Sequence, residues 1–222
     1  MKLKNLTAAI LLAGLSPFSV QAVTLAINAD SHIASANAGT AIGISISPTS
    51  KGLLKFDLAA LPEGITGKDI AKATLVFFAK TVAASGKIQA SPVLDAWDEA
   101  TITTALAPKI GAPIDKSAII NRGNTYVALD VTQLVLDWVD NPISNNGLAL
   151  APLASSTTTF TLDSKEAIQT SHAAFIDITL IGPAGAKGDK GDTGPQGNTG
   201  SPGPVTLIYR RDNFFSLWEV IY

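Results

Sequence analysis

Few side chains in this 222-residue chain are spaced for covalent chemistry. There is no cysteine, so neither a thiolate nucleophile nor a disulfide is available. The two histidines, His32 and His172, lie far apart and lack the short spacing of a metal-ligand pair, and each reads as a surface or structural histidine. No serine stands in a Gly-x-Ser-x-Gly elbow. Asp98 and Glu99 are adjacent, and neighbours on an extended chain point to opposite faces. Glycoside hydrolysis needs two carboxylates converging across one bond. The pair reads instead as residues that pin a turn after Trp97 through backbone hydrogen bonds. The expectation is a non-enzyme with no cofactor and no metal centre. A structural calcium ion held by Asp30 and loop carbonyls is compatible with the oxygen chemistry that calcium requires.

Binding chemistry is a better prospect. Sugar recognition uses exposed aromatic rings stacked on sugar faces with polar groups around them. Trp97, Trp138, Phe56, Phe77, Phe78, Phe160 and Phe175 mostly fall in apolar alternating stretches and read as core. Tyr126 is the best exposed candidate. Residues 23–180 carry 10 Lys+Arg against 14 Asp+Glu, a net charge near −4 that argues against a nucleic-acid partner.

The elements that must position these residues are mostly strands. Alternating or apolar runs occur at 23–27, 42–46, 53–58, 73–78, 125–129, 147–150, 158–162 and 174–180. Turn residues separate them, including Ser47-Pro48, Leu61-Pro62-Glu63-Gly64, Ser85-Gly86 and Asn145-Asn146-Gly147. One helix interrupts the pattern: Val131, Leu134, Val135, Trp138 and Val139 form an apolar face at helical spacing. Asp130 is placed to cap its first turn, and Asn141-Pro142 stops it. The fold class expected is all-β, a sandwich or jelly-roll head with one short helix across an open end, followed by a collagen-like triple-helical or extended tail.

Several segments recur in order within this head: Ala29-Asp30, Leu54-Lys55-Phe56-Asp57-Leu58, Ala73-Thr74-Leu75, Trp97-Asp98-Glu99-Ala100-Thr101-Ile102-Thr103, Leu129-Asp130-Val131-Thr132, Trp138-Val139, Asn146-Gly147-Leu148-Ala149-Leu150 and Asp163-Ser164-Lys165-Glu166. Together they resemble the DNRLRE domain, a secreted β-sandwich related to parts of archaeal disaggregatase and grouped with carbohydrate-binding module family 96. The resemblance spans nearly all of 23–180. It implies a sugar-binding or surface-display module, with alginate a ligand of some members. This chain departs from the family at Thr104, where tryptophan is frequent, and near His172, where proline is. Lys55, Lys165 and Glu166 match polar family positions. Gathered on one face with Tyr126, they would meet an acidic polysaccharide, since lysine offers three donors to carboxylates. The other reading of these three is an internal ion network.

Flanking segments set location and assembly. Met1 to Ala22 reads as a signal peptide, with Lys2 and Lys4 before an apolar stretch from Leu6 to Leu15 and a small residue at Ala22. That core is shorter than the ~20 apolar residues of a spanning helix, and no later segment is long enough. The mature chain is therefore expected to be secreted, extracellular or at the cell surface, without a transmembrane helix. Residues 23–180 are long enough for one domain with its own core. From 182 to 205 glycine recurs at every third position: Gly182, Gly185, Gly188, Gly191, Gly194, Gly197, Gly200 and Gly203. At ~7% average glycine usage this register does not arise by chance. It is the signature of a collagen triple helix, whose crowded axis admits only glycine, and it implies a homotrimer of roughly 70 Å stalk length at about 3 Å per residue. Residues 206–222 turn aromatic, with Tyr209, Phe214, Phe215, Trp218 and Tyr222. They read as a trimerisation knob, as out-of-frame peptide from a truncated stalk, or as a membrane-contacting face. Two functions stay open. One is a non-enzymatic surface or matrix protein with heads displayed on a stalk. The other is a carbohydrate-binding module made avid by trimerisation.

The glycine register yields a direct test of assembly. The mature chain is expected to scatter light as a trimer in the cold, and Gly191→Ala to lower both that mass and the triple-helical circular dichroism. A wild-type monomer at every accessible concentration, persisting when Gly-X-Y triplets are added, would overturn the collagen reading.

Overall fold

The computed structural model describes residues 21–170 and 172–182. Positions 1–20 of the segment read as a signal peptide, the glycines from Gly185 to Gly203 and the tail at 206–222 lie outside the described residues. The head contains ten strands: β1 Gln21–His32, β2 Gly43–Ile46, β3 Gly52–Phe56, β4 Ile70–Ala84, β5 Gly86–Pro92, β6 Ser117–Ile120, β7 Thr125–Asp130, β8 Leu148–Pro152, β9 Thr159–Asp163 and β10 Phe175–Leu180. One α-helix, α1 at Thr132–Asp140, and short 3-10 turns complete it among the described residues.

All strand pairs are antiparallel. β1 serves two layers. Its first half, Gln21 to Ala26, pairs β10, while Ile27 to His32 pairs β3 after a register shift between Ile27 and Ala29. Such a shift lets one strand pass from one sheet to the next at a corner. The front sheet continues β1–β10–β4–β7, and the back sheet β1–β3–β8–β5–β6. The long strand β4 carries two partners on one edge, β10 along 70–76 and β9 along 79–84, with β7 on the other edge. Phe77 and Phe78 sit at the gap between them, and β2 extends β9. Leu25, Phe77 and Phe160 from the front meet Leu54, Phe56, Ile88 and Leu148 from the back in a single buried core. This is the β-sandwich architecture expected from the turn-separated strands.

The eight expected runs all form strands, several with longer bounds. β5 and β6 were not anticipated. Gly86 and Pro92 bound β5 and weaken its strand pattern, and β6 is four residues long. The run at 53–58 ends at Phe56, because Asp57 Oδ1 accepts from the Ala59 N–H at 2.9 Å and opens a 3-10 turn. Leu134, Val135 and Trp138 of α1 are buried. Asp130 Oδ1 accepts from the Thr132 N–H at 3.0 Å and from its hydroxyl at 2.6 Å, one residue ahead of the formal cap. Asn141 closes the helix and Pro142 begins the next turn. Gly147 adopts φ +83°, and a Cβ there would lie 2.3 Å from the Leu54 carbonyl oxygen, so the Asn146-Gly147 turn needs glycine.

Trp97, expected to be a buried anchor, is only half-buried. It packs on a second small cluster of Leu53, Val93, Ile102 and Ala149, outside the back sheet, and its indole N–H donates to the Asn146 carbonyl at 2.9 Å. Trp138→Ala is expected to cost about 3–5 kcal/mol in urea unfolding, as large-to-small changes in a closed core do. Trp97→Phe, which keeps the ring and removes the donor, is expected to cost about 1 kcal/mol. Equal losses at the two positions would contradict this placement.

Candidate functional site

Strand alternation sets the outer face of the front sheet. Ala73, Leu75, Phe77 and Ala79 of β4 are buried, so Thr74, Val76, Phe78 and Lys80 point outward. On β7, Val127 and Leu129 are buried and Tyr126 points outward. Because the register pairs Phe78 with Tyr126, their rings meet edge to face, with centroids 5.2 Å apart at 70°. His172 enters from the segment between β9 and β10. Its ring lies over Phe78 at 3.9 Å and 33°, and 5.7 Å from Tyr126. Tyr126 remains 53% exposed at the top of this stack.

A buried carboxylate fixes the stack from below. Asp163, at the end of β9, has no exposed surface. It accepts from the Thr170 hydroxyl at 2.9 Å, lies 3.2 Å from His172 Nδ1 and pairs with Lys80 Nζ at 3.2 Å. One carboxylate thereby holds the histidine ring, the lysine head and the connecting segment in one arrangement. The result is an aromatic surface with a cationic donor at its margin.

A second polar cluster begins two residues later. Asp30 on β1 is buried, and its Oδ2 accepts from the Lys165 N–H at 2.7 Å. Glu99 Oε1 accepts from the Asp30 N–H at 2.9 Å and pairs with Lys165 Nζ at 2.8 Å. The same ammonium pairs with Glu166 Oε1. Burial pushes the Asp30 carboxyl up to about 7, opposed by the Lys165 N–H and reinforced by the nearby Glu166 carboxylate. Burial works against the Lys165 ammonium, yet Glu166 and Glu99 outweigh it and hold its pKa above the ordinary lysine value. Burial likewise works against ionised Glu166, and hydrogen bonds led by Lys165 hold its pKa below the usual glutamate value.

The structure thus separates the four residues singled out from the sequence. Tyr126 crowns the front face. Lys165 and Glu166 are engaged in an ion network with Glu99. Lys55 lies on the outer face of the back sheet, since Leu54 and Phe56 on either side of it point into the core. Sequence reasoning missed Phe78, His172, Lys80 and Asp163. The signal for Phe78 was its neighbour: two adjacent phenylalanines on one strand cannot both face the core. Phe175, also read as core, is half-buried and pairs with outward-facing Val76. Asp98 does pin the turn after Trp97, accepting from the Ala100 N–H at 2.9 Å, but Glu99 turns away to Asp30 and Lys165. His32 is half-buried, and burial lowers its pKa. A hollow on the back sheet, lined by Ser47, Lys51, Gln89, Ser91, Ala149 and Ser156 among others, has no aromatic ring.

The raised Asp30 pKa has a signed consequence. The folded state holds a proton there that the unfolded chain releases near 3.8. This contribution to stability is complete below about pH 4 and is lost as pH rises through about 7. In chelator-containing buffer, the urea midpoint of wild type is expected to fall relative to that of Asp30→Asn between pH 4 and 7. Parallel profiles for the two proteins would contradict the shift.

Among curated proteins, no sequence matches the chain significantly. The family model for carbohydrate-binding module family 96 matches residues 21–177, which is the whole sandwich from β1 into β10. With that match covering most of its length, the chain belongs to carbohydrate-binding module family 96.

Proposed function

We propose that this domain is a non-catalytic polysaccharide-binding head whose contact surface is the outer face of the front sheet. The observation that carries the reading is the half-exposed Tyr126 ring supported edge-on by Phe78 and His172. A sugar ring presents an apolar face of C–H groups that suits an exposed tyrosine, whose hydroxyl remains free to hydrogen-bond at the margin. Lys80 supplies a donor for a sugar hydroxyl or a uronate carboxylate, and Asp163 holds it beside the rings. The stack is preassembled, so little side-chain entropy is lost on binding. The back-sheet hollow offers no ring on which to stack. Family membership supports carbohydrate as the ligand class. Lys165 and Glu166 serve this surface indirectly, through the segment that delivers His172.

The eight Gly-X-Y triplets support a second element of the reading. The head is secreted and displayed in three copies on a collagen-like stalk, as a matrix or surface protein. Three weak sites on one stalk gain about 10²–10⁴ in avidity where geometry lets them engage together. That suits a repetitive polymer better than a soluble oligosaccharide.

Affinity electrophoresis against neutral and uronate-rich polysaccharides tests the surface. Tyr126→Ala is expected to weaken binding at least tenfold, a loss of about 1.4 kcal/mol, with the unfolding midpoint little changed. Lys51→Ala in the back-sheet hollow is expected to bind as wild type does. Retention of full affinity by Tyr126→Ala would move the site elsewhere.

A further inference from the structure

The carboxylates around Lys165 are out of balance. Oxygens of Asp30, Glu99 and Glu166 lie within 4.8 Å of one another. One ammonium, Lys165 Nζ, pairs with Glu99 and with one oxygen of Glu166. Two buried oxygens, Asp30 Oδ1 and Glu166 Oε2, have no hydrogen-bond donor among the described residues. The Asp30 side chain is 1% exposed, so water does not supply the missing partner from bulk. A buried carboxylate oxygen without a donor is costly, and with all three acidic groups ionised a single cation leaves that cost uncompensated.

We propose that Asp30, Glu99 and Glu166 form a binding site for a calcium ion. Every ligand is a carboxylate oxygen, which favours a hard cation over zinc or copper, whose sites draw on histidine and cysteine. The three side chains come from separate parts of the fold: β1, the loop after β5 and the segment after β9. Calcium tolerates such an irregular oxygen set, whereas magnesium demands near-ideal octahedral geometry and gives up its water reluctantly. Lys165 occupies part of the same space as a competing cation. Its side chain is 27% exposed, so its head has a route to solvent when a divalent ion enters. The consequence reaches the sugar face. Asp30 accepts from the Lys165 N–H, so an ion on Asp30 ties down the start of the segment whose far end carries His172. The site stands on its own observations and is independent of where the sugar binds.

The test uses the full chain, stripped with EDTA and dialysed, then titrated with calcium chloride by calorimetry and followed by thermal melting. Wild type is expected to take up one calcium per chain and to melt several degrees higher in millimolar calcium, with a smaller rise in magnesium. Glu166→Gln and Glu99→Gln are each expected to weaken calcium binding at least tenfold while keeping a cooperative melt. Lys165→Met, which removes the competing ammonium, is expected to bind calcium more tightly than wild type. That direction separates the proposal from a purely structural ion network, in which loss of Lys165 destabilises the fold and creates no calcium response. No heat and no melting shift in either wild type or Lys165→Met would overturn the proposal. So would a metal-independent stabilisation by Glu166→Gln at neutral pH in a protein indifferent to calcium, which would assign the buried pair a shared proton instead.

Discussion

Two buried carboxylates govern this surface. Asp30 and Asp163 are the charged side chains buried among the described residues, and both act on the same connection between β9 and β10. Removing an ionised group from water costs several kcal/mol unless donors replace the lost hydration. Each aspartate meets that demand only in part, and Asp30 Oδ1 accepts no hydrogen bond among the described residues. The Asp30 carboxylate draws in the Lys165 N–H at the start of the connection, while Asp163 takes the Thr170 hydroxyl, His172 and Lys80 near its end. A surface segment without regular structure is held at both ends by the solvation requirement of two acids. The position of His172 over Phe78 follows from that requirement, not from the segment's own conformational preferences.

The sandwich makes this arrangement available through the way its strands divide. β1 changes sheets at the shift between Ile27 and Ala29, which turns Asp30 into the protein at the junction of the layers. β4 is long enough to take β10 and then β9 along one edge, and the connection between those strands must cross beside Phe77 and Phe78. There Phe77 goes into the core and stacks with Phe160 at 6.0 Å, while Phe78 is left outside to receive His172. The same pair of residues thus ties the core to the exposed stack. Polar and aromatic side chains converge here because two strand ends meet on one edge.

Much of this was legible in the chain itself. Alternation and turn residues located eight of the strands, and apolar spacing with the Asn141-Pro142 stop located α1. The family resemblance rests on ordered short segments that fall mostly on strands and their turns, with 97–103 in the connection between β5 and β6 and Trp138-Val139 in α1. The choice of Tyr126 as an exposed ring also follows from local alternation, since Val127 and Leu129 must face inward together. β5 and β6 escaped because their inward positions are few, so that pairing with β8 and with each other, and not local pattern, makes them strands.

What the sequence by itself determined is whatever depends on neighbours along the chain: the mostly-β class, the helix and its ends, the glycine period at 182–203, and the alternation of faces along the strands that its pattern marks. Tertiary structure decided which of those faces meet. Phe78 and Tyr126 are 48 positions apart, and only the β4–β7 register makes them one surface. Lys165, read either as a ligand contact or as part of an internal ion network, pairs with Glu99, 66 positions away, and Glu99 also accepts from the Asp30 backbone N–H. Such encounters are set by the closure of the sandwich and by the cost of isolated charge in its interior, and neither leaves a short-range mark in the sequence.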